Sequence, residues 1–260
     1  MGRAGAPGGD ADAPPQTGTT HTRPGDRGCN VKLLVIAPHP DDEVLGCGGT
    51  IRRLTHQGQT VHLAIVTRGW EPLFPESQVR QVRQEAQAAS KLLGVADLSF
   101  LDLPVTRLSL LPEHELNGAM TRLLDEVRPD WVMLPFVGDL HEDHRQVFNA
   151  AMVALRPLPN RLGVTRILCY ETLSETHWHL PGAEPAFQPQ VFVDISDHLA
   201  AKLEALRCYQ SQLYPWPAAR SLAAVEALAR FRGTCVHCEA AEAFMLVREV
   251  IGERQGGGPF

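Results

Sequence analysis

The chain has 260 residues, 44% of them hydrophobic, enough for a real core in one large domain or two modest ones. Its 24 basic and 30 acidic side chains give a formal charge of -6. That balance offers no footprint for nucleic acid, no Lys/Arg cluster suggests a membrane surface, and the longest apolar runs, such as Trp131–Val137, are too short to span a bilayer.

Residues 1–28 are rich in Gly, Pro, Thr and Asp and lack the apolar block, roughly 7–15 residues long, of a secretory signal. Composition predicts a disordered tail there and another at 253–260, flanking a single α/β domain at 29–252. The six cysteines are scattered and sparse, so no disulfide framework is expected and a reducing cytoplasm fits best.

From Val31 onward, strand and helix signals alternate, the pattern of βαβ units around a parallel sheet. Leu33–Ala37 is a continuous apolar run suited to a strand covered on both faces. Pro38 and Pro40 stop it, and Gly46, Gly48 and Gly49 are read as a turn into a helix near Thr50–Gln57. Further strands are predicted at Thr60–Thr67, Leu98–Leu103, Asp130–Pro135, Arg166–Thr172 and Gln190–Asp194. Helices are predicted at Glu76–Leu93, closed by Gly94, at Glu113–Val127 and at Arg145–Leu155. Ser196 to Ile251 reads as mostly helical, with breaks near Tyr214–Pro217 and Gly233. The fold expected is a Rossmann-like, doubly wound, mostly parallel sheet flanked by helices, with a helical C-terminal part.

Two clusters carry chemistry. His39, Asp41, Asp42 and Glu43 follow the first strand, at the edge where open α/β sheets place their ligands. Asp139, His141, Glu142, Asp143 and His144 follow the fourth apolar strand, with the two histidines spaced i, i+3 across a strand-to-helix junction. A catalytic zinc takes nitrogen and carboxylate donors from three protein ligands and keeps one position open. His39, Asp42 and one histidine of the second cluster satisfy that count, provided the first and fourth strands are neighbours.

Pro38–Glu43, PHPDDE, together with D-x-H-x-D-H at Asp139–His144, resembles the PIG-L/LmbE-like family of zinc-dependent N-deacetylases, which act on N-acetylglucosamine-type substrates. Weaker matches follow in order: Glu85/Ala86 with Leu93-Gly94-Val95, Lys202, Ser211-Gln212, Arg232-Gly233 and Ala241–Phe244. The resemblance implies Zn²⁺ held by His39, Asp42 and His144, Asp41 as general base, and His141 facing the reacting carbonyl. A bound zinc would activate water and polarise the amide, a protonated His141 would stabilise the oxyanion, and Asp143 would fix an imidazole tautomer. The reaction implied is removal of an acetyl or longer acyl group from a small amino sugar or glycoconjugate; a homo-oligomer is compatible with such a chain. Hydrolysis of another amide or ester is the alternative within enzymes. A sugar-binding module without catalysis has no need of a general base.

Other features weigh less. The third glycine of G-x-G-x-x-G would fall on Ile51, so the dinucleotide fingerprint fails. Cys235-Val-His-Cys238 lacks a second pair and reads as the start of a helix. Trp70 is a candidate aromatic wall for a sugar, Arg83 a candidate substrate contact, and His177 and His179 lie in a loop after a strand.

Overall fold

The computed structural model describes residues 30–158 and 163–251. The two predicted tails lie outside the described residues. Seven strands form one sheet: β1 (Lys32–Ala37), β2 (Thr60–Arg68), β3 (Asp97–Pro104), β4 (Trp131–Pro135), β5 (Arg166–Tyr170), β6 (Val191–Asp194) and β7 (Ala241–Glu249). Their spatial order is β3-β2-β1-β4-β5-β7-β6, with β1 to β5 mutually parallel and β7 antiparallel to both of its neighbours.

Among the described residues, six α-helices pack on the two faces: α1 (Asp42–His56), α2 (Glu76–Leu93), α3 (Glu113–Val127), α4 (Glu142–Ala154), α5 (Leu199–Cys208) and α6 (Leu222–Thr234). The period-two alternation of β1 divides the core. Leu33, Val35 and Ala37 point to the side of α1, α2 and α5, while Leu34 and Ile36 point to α3 and α4, all of them fully buried. β1 pairs with β2 on one edge and β4 on the other, so the chain reverses its direction of winding between β1 and β4 and opens a crevice beyond their carboxyl ends. The neighbourhood of the first and fourth strands that the metal reading required is therefore present.

Three sequence expectations change. Helix α1 starts at Asp42, eight residues before the predicted start, because Gly46 and Gly49 are needed for close packing. A Cβ on Gly46 would collide with the Tyr170 ring, and one on Gly49 would lie 2.6 Å from Ile195 Cδ1. Helix α4 starts at Glu142 because His141 caps it, its Nδ1 accepting the Asp143 amide at 3.1 Å, a role that sequence rules give to Ser, Thr, Asp or Asn. The C-terminal part is not all helical: Ala241–Glu249, rich in helix-forming Ala and Glu, is the strand β7 between β5 and β6. Cross-strand pairing overrides local propensity there. Cys235 and Cys238 accordingly follow α6 in the turn before β7 and do not open a helix.

Candidate active site

The first cluster sits where β1 hands over to α1. Asp41 caps that helix with φ 104°, a left-handed conformation that costs a non-glycine residue on the order of 1–3 kcal/mol. Its surroundings hold it there: its carbonyl accepts the Val44 and Leu45 amides, and its own amide donates to Glu43 Oε2 at 3.2 Å. Glu43 is in turn fixed by the Tyr209 hydroxyl, which donates to Oε1 at 2.5 Å, and burial pushes its carboxyl up to about 8. The strain presents the Asp41 carboxylate to the crevice. Neither of its oxygens has a hydrogen-bond partner, and Arg220 Nε stands 3.7 Å from Oδ2.

The second cluster comes from the β4–α4 junction, and the two meet in a triangle. His39 Nδ1, His144 Nε2 and Asp42 Oδ2 are separated by 3.3 Å, 3.2 Å and 3.3 Å. The outer nitrogen of each imidazole is occupied: His144 Nδ1–H donates to Asp139 Oδ2 at 2.8 Å, and His39 Nε2–H to Asp143 Oδ2 at 3.1 Å. With those protons placed, the inner nitrogens facing Asp42 are the ones left to serve as metal donors.

These residues fit a metal ion. Donors on a tetrahedral zinc with bonds near 2.0–2.1 Å are about 3.3 Å apart, which matches all three edges of the triangle. Asp42 Oδ1 is buried without a partner. Burial alone would depress the His144 imidazole, yet Asp42 and Asp139 on its two sides raise it to about 10, so the site draws in positive charge. His39, Asp42 and His144 form one group able to hold a metal, and His39, His141 and Asp143 form a second that shares His39.

His141 stands at the mouth, its ring 4.3 Å from that of His39. Burial, and after it the neighbouring His39, lower its pKa to about 4. The sequence left open whether this imidazole is protonated; with its pKa lowered this far, His141 is neutral at neutral pH. Because Nδ1 accepts the Asp143 amide, the ring proton is on Nε2, so the side chain still offers an N–H donor. Asp143 accepts both from His39 and from the Thr106 amide at 2.7 Å, so the imidazole it steadies is that of His39. Burial raises the Asp41 carboxyl to about 7, with Arg220 opposing; a bound cation would pull it lower.

A cleft of about 510 Å³ opens from His39, Asp41 and His141 toward α2 and the loop after α5. Arg83 lines it, stacked 4.0 Å over the Phe100 ring and paired with Asp102. Trp70 is not among its lining residues. The indole donates to the Val105 carbonyl at 3.0 Å and carries the Arg107 guanidinium 3.2 Å from its ring centre, while Phe74 and Tyr214 supply the aromatic walls. His177 pairs with Glu171, and His179 Nε2 lies 3.1 Å from the Asp139 carbonyl. Arg220 and Thr176, whose hydroxyl donates to Asp139 Oδ1 at 2.6 Å, were missed from the sequence. Neither lies in a motif, and only the need of Asp41 and Asp139 for partners hints at them.

Residues 34–155, which include both clusters, match the PIG-L family described as GlcNAc-PI de-N-acetylase. Diacetylchitobiose deacetylase of Thermococcus kodakarensis is 32% identical over 194 residues, covering 70% of this chain and 70% of its own. An uncharacterized deacetylase of Escherichia coli K12 is 31% identical over 188 residues, covering 69% of this chain and 90% of its own. The solved structure of N,N'-diacetylchitobiose deacetylase from Pyrococcus horikoshii, in complex with an inhibitor, superposes with a TM-score of 0.66 at 28% identity over 83% of each chain. The two clusters at the switch point thus lie on the sequence and the fold of known deacetylases: the chain belongs to the PIG-L family.

Proposed function

We propose that this protein is a zinc-dependent hydrolase that removes the N-acetyl, or another N-acyl, group from an N-acetylglucosamine-type sugar or glycoconjugate. The observation that carries the reading is the triangle of His39, Asp42 and His144 beside a buried Asp41 with two unpartnered oxygens. A binding module has no use for such a carboxylate. The relatives named as diacetylchitobiose deacetylases support the substrate class.

His39 Nδ1, Asp42 and His144 Nε2 would hold the zinc, which when bound supplies a Lewis acid that polarises a carbonyl oxygen and makes water acidic. Asp41 takes a proton from the attacking water and delivers it to the amide nitrogen as the C–N bond breaks, giving the carboxylic acid and the free amine. His141 donates its Nε2–H to the oxyanion that develops on the carbonyl oxygen. Arg220 steadies the Asp41 carboxylate. The cleft, within the size range of small-molecule sites, receives the sugar and its substituent, with Arg83 in reach of it.

No helix among the described residues is long and apolar enough to cross a membrane. The five described cysteines are free thiols, which supports a reducing, cytoplasmic setting.

The test is acetate release from a panel of N-acetylglucosamine conjugates, comparing zinc-loaded protein with its Asp41→Ala variant. Release is expected from the first and a loss of at least about 10²-fold from the second, at equal zinc content. A zinc-loaded protein that releases acetate from no conjugate would overturn the N-acetyl reading, and an Asp41→Ala variant as fast as the parent would overturn the role of Asp41.

A further inference from the structure

We propose that Thr176 is a positioning residue for the metal centre: its hydroxyl orients Asp139, and through Asp139 it aims the lone pair of His144. The inference rests on the reading of His144 as a ligand. Thr176 lies in the turn after β5, in none of the sequence motifs.

The direction of each hydrogen can be followed. The Thr172 amide donates to Thr176 Oγ1 at 2.7 Å, so one lone pair of the hydroxyl is used. A hydroxyl carries one hydrogen, and the partner left for it is Asp139 Oδ1, at 2.6 Å. The other oxygen of Asp139 receives the Nδ1–H of His144 at 2.8 Å. His144 Nε2 is then the nitrogen left for a metal, 3.2 Å from Asp42 Oδ2 and 3.3 Å from His39 Nδ1. Asp139 and His144 are wholly buried and Thr176 is 7% exposed, so water does not readily replace the hydroxyl.

The turn is a rigid mount. The amides of Glu175 and Thr176 both donate to the Thr172 carbonyl at 2.8 Å, and the Leu140 amide reaches the Glu175 carbonyl at 3.2 Å, tying the turn to the segment that carries Asp139. At its base, Glu171 receives two bonds from Arg232, at 2.8 Å and 2.6 Å. The hydroxyl therefore approaches Asp139 from a fixed direction. Groups that hydrogen-bond a ligand directly, as Asp139 does, typically change metal affinity by 10–100-fold, and Thr176 acts through that group.

Zn²⁺ affinity of the full chain, measured by competition with a chromophoric chelator, tests this without reference to turnover, with melting of the metal-free protein as the control for folding. Thr176→Val is expected to bind Zn²⁺ on the order of 10-fold more weakly, Thr176→Ser close to the parent, and Thr176→Ala, a second truncation should the valine fold poorly, as weakly as the valine. On an Asp139→Ala background, Thr176→Val is expected to cause no further loss, because the hydroxyl has lost the group through which it acts. Unchanged affinity in both truncations overturns the proposal, as does an equal loss in the serine variant. So does a full additional loss on the Asp139→Ala background. If instead His144→Ala binds Zn²⁺ as tightly as the parent, the ligand assignment itself fails, an outcome read from a different variant.

Discussion

Lys202 Nζ lies 2.6 Å from Glu242 Oε1 in the interior, at the point where α1 breaks. The break is at Cys47, whose φ of -144° interrupts the helix. Lys202 donates to the Leu45 carbonyl at the end of the first half, at 2.8 Å. Glu242 accepts the Gly49 and Thr50 amides at the start of the second, at 2.8 Å and 2.7 Å. The ion pair thus gives each half of the broken helix the charge its exposed end favours. The first half carries Asp42, so the site depends on this repair.

Removing one member leaves the other charged and buried. Lys202→Met is expected to destabilise the fold by about 3–5 kcal/mol in urea denaturation. Lys202→Met combined with Glu242→Gln should lose less than Lys202→Met alone, since no unpaired charge remains. Equal stability of the parent and Lys202→Met would refute the account.

Asp143 holds His39 from outside the triangle. Asp143→Asn is expected to weaken zinc binding by roughly 10–100-fold while the Thr106 amide keeps an acceptor. Chelator competition checks it, and an unchanged affinity would show that the His39 tautomer is fixed by other means.

In the proposed reaction His141 is a neutral donor. His141→Ala is expected to lower kcat/KM by about 10²–10³-fold at constant zinc content, and His141→Gln, which retains an N–H, to lose less. If the two variants are equally impaired, hydrogen-bond donation is not the role of this side chain.

The pairing of Glu171 with Arg232 makes a pH-dependent contribution to stability. Burial would raise the Glu171 carboxyl, but His177 and Arg232 outweigh it and hold the group below its ordinary value. A depressed folded-state pKa gives stability that is present above the ordinary carboxylate pKa and is lost as pH falls through the folded value. The stability difference between the parent and Glu171→Gln should therefore be largest near neutrality and shrink from about pH 5 downward. A difference that stays constant across that range in pH-dependent denaturation would dismiss the pairing as a source of stability. Arg232→Ala, which leaves only His177 beside a carboxylate 4% exposed, should cost on the order of 3 kcal/mol at pH 7.

The sequence by itself determined the parallel half of the sheet, because β1, β2 and β4 are apolar runs that only burial on both faces accommodates. It also pointed to His39, Asp42 and the histidines of the second cluster as candidate donors, because they lie in two compact motifs next to strand ends. The tertiary structure decided what depends on distant partners. β7 is a strand because β5 and β6 pair with it, although its own residues favour a helix. Gly46 and Gly49 lie within α1 rather than in a turn before it, and are glycine because Tyr170 and Ile195 occupy the space that a side chain would need. Trp70 faces Val105 and Arg107, and Arg220 faces Asp41 across 179 positions of sequence. The protonation of His141 was equally beyond the sequence, since burial among other imidazoles exists only once the two clusters have met at the ends of β1 and β4.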